Sequence, residues 1–369
     1  MSASNLQIDP NTMAPEMPEE VYKDAVRVFK VPSTMYNEKS MTLYIWSKLL
    51  DLDLEPTVDD YGNILVTKGK GPLYPCFLSH LDTVHIYKNG FNLMYQKKNK
   101  RTYLYAADND QKSVGIGGDD KCGIIVCLYL LQQLENVKIV FCSQEESGGT
   151  GSSNVDLKFF SDCKFLCSVD RWNGHDFVNQ YSGQRTISKA MTKLVTPILK
   201  MYDYDYASGL FTDCFNIIDR GVGISCFNIS CGYYSHHSDN EYVDTNELWN
   251  ACLLSMELAA LPDQYKLQYQ KKKYGFSNSW SSDKYSSWYN SNWKDNWKDK
   301  DDKNAKIEAD LSTKALAEYI DQEDEEDYEI PVCLCCQIEL MPYEIRLYGH
   351  YCSTCADFMI EKDKPPRTY

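Results

Sequence analysis

Four short apolar runs, each closing on histidine or acidic residues, constrain this chain more than any other feature. They are PCFLSHLD (75–82), KIVFCSQEE (138–146), KFLCSVDR (164–171) and GISCFNISCG (223–232), the last followed by the pair His236 and His237. The runs are too short for helices and lack polar alternation, which is the signature of strands buried on both faces of an α/β sheet. Between and before them, residues 121–135, 246–260, 21–31 and 39–51 carry apolar positions at helical spacing, and 55–68 reads as a hairpin turning across residues 59–63. The polar residues fall just past the strand ends. In open α/β sheets that edge is where ligands and catalytic groups collect. The expected fold is therefore α/β, with separate segments delivering His, Asp and Glu to one rim.

The chain has 369 residues, 43% of them hydrophobic and 13% aromatic, enough for one sizeable core plus an appendage. A formal net charge of −15 repels polyanions, so nucleic acid is not an expected partner. The longest apolar stretch, Ile124 to Leu131, is far below the roughly 20 residues that span a bilayer, and the first residues are acidic without an apolar leader. A cytoplasmic protein with no membrane partner is expected. Of fifteen cysteines, ten stand singly in apolar segments, as reduced buried thiols do.

Each polar cluster admits an ordinary reading beside a chemical one. His80-Leu81-Asp82 suits an imidazole on a metal with a carboxylate near enough to orient it, or a polar loop. In GIGGDDKCG (115–123), glycines allow close backbone approach, and Asp119 and Asp120 are either ligands or a helix cap. Glu145 and Glu146 follow a buried run; adjacent residues point different ways, so one can bind metal while the other serves as general base. Asp170 and the His236-His237 doublet complete a series of His, Asp, Glu, Asp and His. That count suits two zinc ions sharing one bridging carboxylate.

These residues resemble the co-catalytic zinc exopeptidase superfamily, especially its peptidase T and glutamyl aminopeptidase branches. The matching pieces are HLDTV (80–84), GGDDKCG (117–123), EESGGTGS (145–152), SVDR (168–171) and HSDNEYV (237–243), with echoes in Thr212-Asp213 and DDYGNI (59–64). The resemblance spans about residues 20–260. It implies a three-layer α/β/α mixed-sheet fold, and makes His80, Glu146, Asp170 and His237 terminal ligands and Asp119 the bridge of a dizinc centre. Asp82 would orient His80, and Glu145 would take a proton from a water shared by the two ions. His237 is preferred to His236 because Glu241 stands four residues after it, as in the family pattern. The implied activity is hydrolysis of a terminal peptide bond, as an aminopeptidase; an amidohydrolase or deacylase acting on a non-peptide amide, or a non-catalytic adaptor, are the competing readings. Only 66 residues separate Asp170 from His237, too few for the lid domain inserted there in the peptidase T branch, and no large insertion fits between His80 and Asp119. The group that stabilises the oxyanion is then unassigned, Arg185 being one candidate.

The expected catalytic domain covers 1–263. Residues 264–328 follow as a Trp-, Lys-, Ser- and Asp-rich linker with Trp280, Trp288, Trp293 and Trp297, and 329–369 as a small zinc ribbon. There Cys333-x2-Cys336 and Cys352-x2-Cys355, fifteen residues apart, have the spacing of a structural zinc site, with Cys335 and His350 as substitutes. A protein partner is one use open to linker and ribbon.

Overall fold

Burial on both faces turns the apolar runs into the middle of a sheet. The structure, a computed structural model, describes residues 16–262 apart from Tyr36, Ser182 and Leu210. The expected linker and zinc ribbon, with Cys333, Cys336, Cys352 and Cys355, lie outside the described residues.

Helices α1 (Glu19–Lys30) and α2 (Lys39–Asp51) lead into strands β1 (Thr57–Val58), β2 (Ile64–Lys68) and β3 (Tyr74–His80). Strands β4 (Asn92–Lys98), β5 (Arg101–Ala107) and β6 (Ser113–Val114) precede α3 (Gly118–Gln133) and β7 (Val137–Cys142). Then come α4 (Thr150–Asn154), β8 (Cys163–Arg171), β9 (Asp176–Tyr181), β10 (Gln184–Arg185), α5 (Lys189–Met201), β11 (Asp205–Gly209) and α6 (Asp213–Asp219). The described part closes with β12 (Ser225–Ser230), β13 (Tyr233–Tyr234), β14 (Tyr242–Asp244) and α7 (Thr245–Ala259).

The main sheet has nine strands in the order β1-β2-β7-β3-β8-β12-β9-β10, with β11 on β9. Its centre, β7-β3-β8-β12, is parallel, and these are the four apolar runs. Side chains alternate across it. On β3, Phe77 enters one core while Cys76 and Leu78 enter the other. The first core is closed by α1, α2, α3, α5 and α7, and the second by α4, α6 and the turn at Leu157–Phe160, which gives three α/β/α layers. Helix α3 runs through the first core and is buried from Lys121 to Leu128 without interruption, so it shows no polar stripe. The ten cysteines within the described residues are all free and buried.

A second antiparallel sheet, β13-β14-β5-β4 with β6 on β5, contributes Leu93, Leu104, Ala106, Tyr233 and Val243 to the first core. Its β4–β6 meander fills the stretch between His80 and Asp119. Sequence reading assigned no strands there, because the charged turn around KKNKR (97–101) interrupts the apolar alternation. Between Asp170 and His237, strands β9 to β13 join the same two sheets, so no lid domain is inserted.

Phe77 is fully buried and meets Phe165 edge-on, with ring centroids 5.8 Å apart. Phe77→Ala is expected to cost about 3–5 kcal/mol in urea unfolding of the metal-free chain. A loss below about 1 kcal/mol would contradict this packing.

Candidate metal centre

Parallel strands end at a common rim. His80, the last residue of β3, lies in register with Cys142, the last of β7, and Asp170 stands near the end of β8. The turn after β7 brings Glu145 and Glu146 to the same edge. Asp119 arrives on the non-helical first turn of α3, and His237 on the link between β13 and β14. His237 and Gln144 hold left-handed backbone, at φ 59° and 53°, conformations that non-glycine residues adopt mainly in tight, constrained loops.

The side chains converge in two triads that share Asp119. One consists of His80, Asp119 and Asp170, the other of Asp119, Glu146 and His237. Asp119 Oδ1 lies 3.0 Å from His80 Nε2, and Oδ2 lies 3.3 Å from His237 Nε2. His80 Nε2 is 3.6 Å from Asp170 Oδ1, and His237 Nε2 is 3.0 Å from Glu146 Oε1. Glu145 forms a third group with His80 and Glu146. His80, Asp119, Glu145, Glu146, Asp170 and His237 are thus brought together, with His237 and not His236 in the cluster.

Surrounding hydrogen bonds fix this arrangement. His80 Nδ1 approaches the Asp82 carbonyl oxygen at 3.0 Å and the Asp82 carboxylate at 3.4 Å. The Asp82 carboxylate itself accepts from the backbone N–H groups of Glu145 and Glu146, at 3.0 and 3.2 Å, so it also holds their turn. Asp120 accepts from the N–H of His80 at 3.1 Å and of Gly123 at 2.9 Å, tying the start of α3 to the end of β3. Asp170 accepts from the hydroxyls of Tyr233, at 3.2 Å, and Thr212, at 3.3 Å. Asn63, from the expected hairpin, brackets the acidic turn by accepting from Ser143 N and donating to Gly151 O. Glu38 accepts from Gln144 N at 2.7 Å. Sequence reading missed Glu38, Tyr233 and Asn228, the last exchanging two hydrogen bonds with the Asp170 backbone. None sits in an acidic or histidine cluster, so no local pattern marks them.

Burial and crowding of like charges set the proton affinities. Burial and the neighbouring Asp119 push Glu146 up to about 7, against the pull of His237. Burial, opposed by His80 but reinforced by Asp170, Asp213 and Glu146, raises Glu145 well above the usual carboxylate range. Asp170 rises through burial and the charge of Asp119. Desolvation alone would lower the histidines, yet the surrounding carboxylates win, raising His80 well above its ordinary value and His237 to about 11. Asp119, although buried, is held far below the carboxylate range by His237 and His80.

Two neighbours stay outside the cluster. His236 stacks on Trp172, with centroids 6.0 Å apart and planes at 26°. Arg185 is exposed on edge strand β10, where it pairs with Gln180.

The residues fit a pair of divalent cations. Imidazole nitrogens and carboxylate oxygens are the donors that first-row metals such as zinc take. The Asp82 carbonyl can receive an Nδ1 proton, which leaves the Nε2 lone pair of His80 toward the cluster. Three carboxylates, the buried Asp119 and Glu146 and the half-buried Asp170, face only two imidazoles, an excess of negative charge that calls for cations.

No protein-family model and no curated protein matches the sequence. Among solved structures, the chain is similar to the aminopeptidase PepT of Bacillus cereus (TM-score 0.55, 13% identity, 66% of this chain and 98% of that one). It is similar also to a tripeptidase of Staphylococcus aureus (TM-score 0.53, 14% identity, 66% and 98%). A third is an aminopeptidase of the archaeon Desulfurococcus kamchatkensis (TM-score 0.52, 16% identity, 66% and 95%). Likeness at such identities speaks for the fold: the described residues have the fold of these peptidases.

With Glu146 near 7, metal binding below that pH must displace a proton from its carboxyl in addition to that from His237. The number of protons released per zinc bound therefore rises as pH falls through about 7, and Glu146→Gln removes this increment. Calorimetry in buffers of different ionisation enthalpy measures it. A release independent of pH in the unsubstituted protein would contradict the assignment.

Proposed function

We propose that this chain is a two-zinc metallopeptidase that hydrolyses the peptide bond next to a free amino terminus. The observation that carries the reading is the Asp119 carboxylate, with one oxygen toward His80 and the other toward His237. His80, Asp119 and Asp170 would hold one ion, and Asp119, Glu146 and His237 the other. Zinc in these two positions supplies Lewis acidity toward the scissile carbonyl and toward water.

The remaining chemistry belongs to the chain. Glu145 is the general base: as the water oxygen adds to the carbonyl carbon, its carboxylate takes the proton, then returns it to the amine nitrogen as the C–N bond breaks. Its raised proton affinity makes it a stronger base than an exposed carboxylate. Asp82 keeps Glu145 in place through the backbone of the turn. The aminopeptidases and the tripeptidase that share the fold support the same reading.

The reading extends to the whole chain. Residues 1–263 form the catalytic domain, 264–328 a tether, and 329–369 a ribbon whose Cys333, Cys336, Cys352 and Cys355 hold a structural zinc and dock on a protein partner. The ten free, buried cysteines support a cytoplasmic protein.

Purified full-length protein is expected to carry three zinc ions, and Cys333→Ser with Cys336→Ser to carry two. Glu145→Ala should keep the metal and lower kcat on aminoacyl substrates by about 10²- to 10⁴-fold, while N-acetylated versions of the same substrates stay uncleaved by the unsubstituted enzyme. Elemental analysis and a substrate panel decide this. A centre that takes up no metal after supplementation, or a Glu145→Ala protein as active as its parent, would overturn the reading.

A further inference from the structure

Glu241 is fully buried, and both its oxygens are used on the loop that presents Asp119. Oε2 accepts from Gly117 N at 2.7 Å and Oε1 from Asp119 N at 3.1 Å. The remaining partner is His85, whose Nε2 lies 2.7 Å from Oε2 and which is itself 8% exposed. The loop is shaped around that imidazole: a Cβ at Gly115 would fall 1.9 Å from His85 Cε1. Tyr87 clamps the same glycine, its hydroxyl donating to Gly115 O at 3.0 Å.

We infer that His85 is a positioning residue for the bridging carboxylate, acting through Glu241. The inference rests on the reading of Asp119 as the shared ligand. A bridging carboxylate has to present both oxygens at once, so a small rotation of its backbone weakens both ions together. Glu241 fixes the backbone on either side of Gly118, and without His85 its buried carboxylate would be left with two amide donors. His85 supplies that third bond. It touches neither the cluster nor any position where substrate would react, and its effect is on how tightly the centre holds metal.

The test is a cobalt titration of the metal-free full-length protein, comparing the parent with His85→Leu and His85→Gln. Weak visible bands report the carboxylate and imidazole centre, and near-ultraviolet charge-transfer bands report cysteine-bound cobalt separately. Thermal melts of the metal-free proteins show what packing alone contributes. His85→Leu should weaken cobalt binding at the centre by about tenfold or more while the cysteine bands keep their midpoint. Assayed at limiting zinc, the apparent kcat of His85→Leu should fall at unchanged KM, and saturating zinc should restore it. His85→Gln, which can still donate to Glu241, should recover most of the affinity. If His85→Leu does not fold, His85→Asn, whose amide is too short to reach Glu241, takes its place. Leu (or Asn) and Gln proteins equal to the parent in metal affinity, or equally impaired relative to it, would overturn the inference. A parent that binds no cobalt at the centre would overturn the two-metal reading itself, and this inference with it.

Discussion

Everything at the rim depends on how one carboxylate, that of Asp119, is divided between two imidazoles. A buried carboxylate is costly unless each oxygen meets a compensating charge or donor. Here His80 and His237 meet the two oxygens from opposite sides, which holds the Asp119 proton affinity down while that of Glu146 and Asp170 is driven up. The cluster is thus an uneven compromise. Some acids are ionised and others pushed toward their neutral form, and the imbalance between three acids and two histidines is what divalent ions would relieve.

The three doublets of the sequence resolve by a common logic. Neighbouring residues on a turning backbone face different ways, so the two side chains of each pair take different places. Asp119 faces the histidines while Asp120 ties α3 to β3 through the N–H groups of Gly123 and His80. Glu146 meets His237 while Glu145 turns toward His80. His237 joins the acids while His236 stacks on Trp172. The capping role expected for an acidic pair before a helix thus falls to Asp120, and the place in the cluster to its neighbour Asp119.

Strands buried on both faces advertise themselves as unbroken apolar runs, which is why β3, β7, β8 and β12 and the rim beyond them were legible in the sequence. Helices α1, α2, α3 and α7 were legible to within a few residues for the related reason that their apolar positions cover a large core. What could not be read was anything that depends on pairing across distance. The second sheet is half-buried and interrupted by charge, and its strands β5 and β14 are far apart in sequence. Glu38, Asn228 and Tyr233 are single polar residues whose meaning arises only from the distant groups they meet. Glu241 was visible as a marker four residues beyond His237, but its grip on Gly117 and Asp119 crosses more than 120 residues of chain.

That second sheet carries more than its small size implies. His237 lies between β13 and β14, and the pair is held by antiparallel bonds and by Tyr234 stacked on Tyr242 at 5.1 Å. Strand β14 in turn pairs with β5, so His237 is set by a frame built from the segment that follows His80. Arg101 at the start of β5 reaches Asp244 at 2.5 Å and Glu247 at 2.8 Å, and Asp244 also caps α7 by accepting from Asn246 and Glu247 N–H groups. The main sheet thus supplies His80 and Asp170 from its strand ends, the irregular first turn of α3 supplies Asp119, and the second sheet lowers His237 onto them. Loss of the meander would leave His237 without the frame that sets its distance to Asp119 and Glu146. A chain of this length can therefore complete the five-residue cluster without an inserted domain between Asp170 and His237.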